Sequence, residues 1–204
     1  FRRVLFRSRN SELPFAMTAA LKLQHKIPVE VYLEQEKHSE VRHEYVAGDI
    51  YAMAGASEKH NTISLSIASA LRQHLRGKPC KTFINDMKLK LWAHLQVFYY
   101  PDVMVACEPE DNDPYFKTQP KVIVEVISDS TRNTDTREKL IIYFQVPTLQ
   151  EYVLVEQDLM KVTVHRKSNE WRPEELVGAD ATLHMHSLGF SMSLNEIYEG
   201  VTFA

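Results

Sequence analysis

Lys121-Val122-Ile123-Val124-Glu125-Val126-Ile127 decides the reading of this chain. A continuous apolar run of this kind reads as a strand buried on both faces, and one carboxylate stands inside it. A charge left unbalanced there costs several kcal/mol. A metal ion, a cation or a proton must offset it. Upstream, Tyr100-Pro101-Asp102-Val103-Met104-Val105-Ala106 sets a second carboxylate in a similar run, and Lys139 follows on an expected helix. Two strand-borne acids converging on one spot repel each other, and a divalent cation between them removes the repulsion. The competing reading of Glu125 is a buried ion pair with Arg137 or Lys139.

Working outward, Asp86 to Leu91 alternates strictly, with Asp86, Lys88 and Lys90 on one face and Met87, Leu89 and Leu91 on the other. Val97 to Cys107 reads as a second strand and Lys121 to Ile127 as the third. Before them, Ser57 is the expected N-cap of a helix running to about Arg76, with Ile63, Ile67, Ala70, Leu71 and Leu75 at helical spacing. A shorter helix is expected after Pro28, and a hairpin about Ala47-Gly48-Asp49 joins Arg42–Val46 to Ile50–Ala54. Downstream, Asp135 and Glu138 resemble a capping box for a helix ending near Pro147. Glu151–Glu156 and Lys161–Arg166 read as a hairpin, with further β structure behind it. The order helix, three strands, helix, strand predicts an α/β fold around a mixed sheet, with an N-terminal helix and hairpin and a C-terminal β elaboration.

At 204 residues the chain suits one domain, and its net charge of −3 means that any nucleic-acid surface is a local patch. The two cysteines, Cys80 and Cys107, lack metal-ligand spacing and read as ordinary core thiols in a reducing compartment, with a single bridge as the other option. No apolar stretch reaches membrane-spanning length, so a cytoplasmic protein with no membrane partner is expected. Residues 1–16 are Arg-rich without a period, and Met17 follows. They read as a non-native or disordered N-terminal segment ahead of a single domain over 17–204, the competing reading being a basic arm that touches nucleic acid.

The ordered set of motifs resembles the Uma2 restriction-endonuclease family, within the PD-(D/E)XK restriction-endonuclease-like superfamily. It comprises His43-Glu44-Tyr45 with Gly48-Asp49, Ser57 to His60, Tyr100-Pro101-Asp102-Val103, Val124-Glu125-Val126-Ile127-Ser128, then Asp135, Lys139 and Tyr143, and Glu151-Tyr152-Val153-Leu154-Val155. The likeness spans roughly Ile27 to Ile197. It implies Asp102 and Glu125 as ligands of magnesium or manganese, with Glu44 as a third carboxylate candidate, and hydrolysis of DNA phosphodiesters. In the wider superfamily a lysine stands two residues after the third-strand glutamate. Here that position is Ile127, and Lys139 is the implied substitute.

Such a site would use two carboxylates to hold a hard cation and a lysine to orient water or offset charge on the phosphate. Lys139 has a bland alternative, because Asp135, Lys139 and Tyr143 share one helix stripe and an exposed pair there gives only about 0.3–0.5 kcal/mol. His60 could touch phosphate or complete the helix cap. Lys88 and Lys90 could contact phosphates, as could Arg72, Arg76, Lys78 and Lys81, although a solvated surface explains both groups. His184 and His186 invite a zinc reading but lack a third ligand, so a solvated edge is expected. The leading expectation is a metal-dependent endonuclease working as a homodimer on two DNA strands. The alternative is a non-cleaving nucleic-acid-binding or regulatory protein that keeps the fold.

Overall fold

The computed structural model describes residues 4–5, 26–53, 55–92, 96–128 and 131–203. Apart from a two-residue strand, β1 (Val4–Leu5), the segment 1–16, Met17 and the end of the first hairpin at Ala54 lie outside the described residues.

Helix α1 (Val29–His38) follows Pro28, with Glu30 in its first turn and Lys37 and His38 in its last, as the helix dipole favours. The hairpin β2 (His43–Val46) and β3 (Asp49–Ala52) turns through Ala47 and Gly48, both at positive φ. Gly48 is needed twice over, because its φ is +95° and an added Cβ would stand 2.5 Å from Lys26 Cβ. Ser57 caps α2 (Glu58–His74), its hydroxyl accepting the His60 N–H at 3.1 Å.

Then follow β4 (Lys81–Ile84), β5 (Lys88–Trp92), β6 (Gln96–Tyr99), β7 (Val103–Ala106), β8 (Phe116–Lys117) and β9 (Pro120–Ile127). A π-helical turn, Thr134–Glu138, runs into α3 (Lys139–Tyr143). The hairpin β10 (Glu151–Glu156) and β11 (Lys161–Arg166) has the expected bounds. The chain closes with β12 (Pro173–Val177), β13 (Thr182–Met185), β14 (Phe190–Ser193) and α4 (Leu194–Ile197), the expected C-terminal elaboration.

Two six-stranded sheets form, ordered β1-β3-β2-β6-β5-β8 and β12-β11-β10-β9-β7-β4, beside the small β13-β14 pair. The second is mixed, since β9 runs parallel to β10 and antiparallel to β7. It carries the expected order as α2, β4, β7, β9, α3, β10. One of its faces packs Val103, Val105, Val122, Val124 and Val126 against Ile63, Ile67 and Leu71 of α2. The other packs Met104, Ile123 and Ile127 against Leu89, Leu91, Val97 and Tyr99 of the first sheet and Tyr143 of α3. Tyr32 of α1 covers the outer face of the first sheet with Tyr45 and Phe98.

Four expectations are corrected. Val97 to Cys107 is two strands in different sheets, because Pro101 lacks a donor and the chain crosses from β6 to β7 there. The first core strand is β4, whereas the alternating stretch begins at a turn (Asn85 has φ 38°) and supplies β5 to the other sheet. Asp135 is not a cap, because its N–H already bonds to Thr131 O at 2.9 Å inside the helical stretch. Cys80 and Cys107 are not free thiols but form a disulfide flanking the β4–β7 pair, with Cα atoms 3.9 Å apart. Among the described residues no helix is long and apolar enough to cross a membrane.

Candidate metal and phosphodiester site

Period two along β9 decides where its carboxylate goes. Val122, Val124 and Val126 face α2, so Glu125 shares the opposite face with Ile123 and Ile127, toward α3 and the first sheet. Glu125 is buried, and its Oε1 accepts Lys139 Nζ at 2.9 Å and the Tyr143 hydroxyl at 3.0 Å. Lys139, not Arg137, is therefore the partner; Arg137 is exposed.

The π-turn and α3 aim Asp135, Lys139 and Tyr143 inward, so their stripe is buried rather than solvated. Lys139 Nζ lies 3.0 Å from Asp135 Oδ1 and 3.4 Å from Glu44 Oε1, the latter reaching in from β2 of the first sheet. The Asp135 contact is coulombic, since Oδ1 accepts no aligned hydrogen bond among the described residues.

Asp102 stands just ahead of β7, one step beyond the Val103–Val124 pair and so opposite Glu125. Its N–H donates to Glu125 Oε2 at 3.3 Å, and its own Oδ2 accepts the Val126 N–H at 2.7 Å. His60 Nε2, on the first turn of α2, lies 3.1 Å from the same Oδ2. The expected cap role of His60 is filled by its backbone, while its ring meets Asp102. With 15% of its side chain exposed against 4% for Glu125 and 8% for Lys139, Asp102 marks the solvent-facing side of the cluster.

The structure thus brings together Asp102, Glu125, Lys139, Glu44 and His60. Sequence spacing flagged Asp135 and Tyr143 only as stripe neighbours of Lys139, because it cannot tell an inward stripe from an outward one. Lys88 and Lys90 stand apart, on the other face of the first sheet. Lys88 Nζ lies 5.6 Å from the Tyr100 ring centroid, and Lys90 Nζ 4.8 Å from that of Phe116. His184 and His186 are exposed, with ring centroids 6.1 Å apart.

Burial pushes the Glu125 carboxyl up to about 8, with Asp135 and Asp102 adding repulsion that Lys139 only partly offsets. Burial alone would lower Lys139, but Asp135, Glu125 and Glu44 outweigh it and hold its pKa well above the usual lysine range. The Tyr143 hydroxyl is pushed up by burial and by Glu125, so it remains a donor.

The donor set is all oxygen on the acidic side, which suits a hard cation rather than zinc. Among the described residues no group of three or more His, Cys, Asp or Glu is arranged to hold a metal ion. Asp102 and Glu125, brought side by side by β7 and β9, are the oxygen donors to which an ion could bind, and it would take the rest of its shell from water and phosphate, as magnesium commonly does. They do not fit an all-protein cage. Ile127, where the superfamily lysine would stand, is 2% exposed inside the apolar core, and Lys139 approaches Glu125 from α3 instead.

The family model of Uma2, described as "Putative restriction endonuclease", matches residues 29–195. This chain belongs to the Uma2 family. The match runs from α1 into α4 and includes every residue of the Glu125 cluster. Two Synechocystis sp. (strain ATCC 27184 / PCC 6803 / Kazusa) proteins are similar along most of their length. The uncharacterized protein slr1290 is 34% identical over 181 residues, 87% of this chain and 94% of its own. The uncharacterized protein sll1609 is 34% identical over 157 residues, 74% of this chain and 88% of its own. Among solved structures, that of "a putative nuclease belonging to DUF820" from Anabaena variabilis ATCC 29413 superposes with a TM-score of 0.70. It covers 85% of this Uma2 chain and 98% of that one at 16% identity, a likeness of fold.

Proposed function

We propose that this Uma2 protein is a divalent-metal-dependent endonuclease that hydrolyses DNA phosphodiester bonds, working as a homodimer. The observation that carries the reading is the convergence of three carboxylates (Glu125, Asp135 and Glu44) on the ammonium of Lys139, with a fourth, Asp102, set against Glu125. Among the described residues these acids outnumber the Lys139 ammonium, and the most exposed of them is Asp102, which His60 also meets. The family description and the nuclease of the same fold support the same class of reaction.

In this reading Asp102 and Glu125 hold magnesium or manganese, which when bound offsets phosphate charge and makes water more acidic. Lys139 keeps Glu125 and Glu44 in place and presents a positive charge toward the attacked phosphate. His60 fixes the Asp102 carboxylate through Oδ2, the oxygen that also accepts the Val126 N–H. Lys88 and Lys90, lying off the cluster, serve at most as contacts to flanking phosphates.

The test is magnesium- or manganese-dependent nicking of plasmid DNA by the purified full chain beside Asp102→Ala and Glu125→Ala. Cleavage by the wild type alone is the expected result. Equal cleavage by all three preparations identifies a contaminant and removes the proposal. One observation favours the alternative, a non-cleaving nucleic-acid-binding or regulatory protein: Ile127 replaces the superfamily lysine, and Lys139 is already engaged by three carboxylates. DNA binding without metal-dependent cleavage, at an affinity unchanged by Glu125→Ala, would select it.

A further inference from the structure

Glu36 lies on α1, beyond the outer face of the first sheet, in a helix that also carries Glu30 and Glu34. It is nevertheless only 3% exposed, and among the described residues no lysine or arginine lies within ion-pair distance of it, although Lys88 and Arg42 act on it from farther off. Its charge is met by three donors. Oε1 accepts the His43 N–H at 2.9 Å and the Tyr100 hydroxyl at 2.8 Å, while Oε2 lies 3.0 Å from His43 Nδ1. Tyr32, on the same helix, donates its hydroxyl to His43 O at 2.7 Å. A well-packed apolar side chain would glue α1 to the sheet at lower desolvation cost. What a buried, multiply bonded carboxylate adds is direction, because each of its bonds holds only over a narrow range of geometry.

The two residues that Glu36 grips are neighbours of the site carboxylates. His43 precedes Glu44 on β2, and since alternate side chains leave opposite faces, holding His43 outward turns Glu44 inward toward Lys139. Tyr100 is joined to Asp102 through Pro101, whose ring restricts the backbone between them. One acid on one side of the sheet thus holds both segments that deliver Glu44 and Asp102 to the other side.

We propose that Glu36 is a positioning residue, fixing the register at which Glu44 and Asp102 meet Lys139 and Glu125. It touches neither substrate nor ion. The inference rests on the reading of that cluster as a divalent-cation site.

Manganese titration followed by electron paramagnetic resonance reads the site without depending on cleavage. Wild type, Glu36→Ala, Glu36→Gln and Tyr100→Phe would be compared as full chains, with circular dichroism to confirm the fold. Glu36→Ala is expected to weaken manganese binding about ten-fold or more, in the range seen for groups that orient metal ligands. Glu36→Gln keeps an acceptor for Tyr100 and the His43 N–H and is expected to stay within about three-fold of wild type. Tyr100→Phe loses one bond and should fall between them. A role in anchoring α1 alone would lower the melting temperature of Glu36→Ala and leave the affinity of the folded protein unchanged, which overturns the inference. If Glu36→Ala does not fold, Tyr100→Phe decides, and wild-type affinity in that variant overturns it equally. Absence of manganese binding by the wild type removes the metal-site reading and this inference together. Binding and nicking that the Glu36 and Tyr100 variants leave untouched remove only the role of Glu36.

Discussion

Glu125 is the residue through which this fold should respond most directly to pH. Its carboxyl is raised from the usual 4.5 to about 8, chiefly by burial and then by the acids around it. The native state therefore keeps a proton that the unfolded chain releases. For a group raised in this way, the stability it contributes is fully present below about 4.5 and is lost as pH climbs through about 8. Glu125→Gln cannot titrate. The difference in unfolding free energy between wild type and Glu125→Gln, taken from urea transitions, should shift against the wild type between about pH 5 and pH 9. A difference that stays flat would mean that Lys139 keeps Glu125 ionised throughout. At this scale Asp102 and Glu125 were legible because each interrupts an apolar run, and an interruption is a local signal. The choice of Lys139 over Arg137 was not, since both lie on one helical segment and only the π-turn decides which faces in. Glu36 left no trace at all, because a glutamate in an acid-rich helix looks solvated until its partners arrive from β2 and the β6–β7 link.

Among elements, those whose ends carry their own chemistry were read closely. Pro28 opens α1, Ser57 caps α2, and β10 and β11 alternate cleanly between turns. Sheet membership is a different matter, because it depends on residues far apart in sequence. The run from Val97 to Cys107 is apolar almost throughout, and periodicity alone does not show that it changes sheets at Tyr100-Pro101. Likewise β4 is a short edge strand with two exposed residues among four, too weak a pattern to outbid the alternating stretch after it. Its importance emerges only in the fold, where it pairs with β7 and the Asn85 N–H donates to Asp102 O at 3.3 Å. The Cys80–Cys107 bridge flanks that pairing and closes a separation of 27 residues. Chain entropy makes such a loop worth about 3–4 kcal/mol. Dithiothreitol should therefore lower the urea midpoint of the wild type and leave that of Cys80→Ser unchanged. Equal midpoints for oxidised and reduced wild type would show that strand pairing alone holds β4.

The whole molecule explains why the site needs both sheets. The second sheet supplies Glu125 and the segment carrying Asp102, the first supplies Glu44, and α3 supplies Lys139 between them. A ligand that draws these acids together must therefore stabilise the packing of one sheet on the other, not only a local loop. A site of this kind couples binding to global stability by RT ln(1 + [L]/Kd), about 2.7 kcal/mol at a hundred times Kd. For a domain of this size each kcal/mol raises the melting temperature by about 2–4 °C, so saturating manganese or magnesium should add about 5–10 °C. Asp102→Ala, which removes one of the two proposed ligands and leaves the Lys139–Glu125 pair, should show little of that gain. Calcium offers a control, because it can occupy oxygen ligands and raise the melting temperature without supporting nicking. A wild type whose melting temperature ignores all three ions, or an Asp102→Ala variant that gains as much as the wild type, would leave the acids as a structural cluster. In that case the acids are balanced within the protein, and the fold serves something other than metal-dependent cleavage.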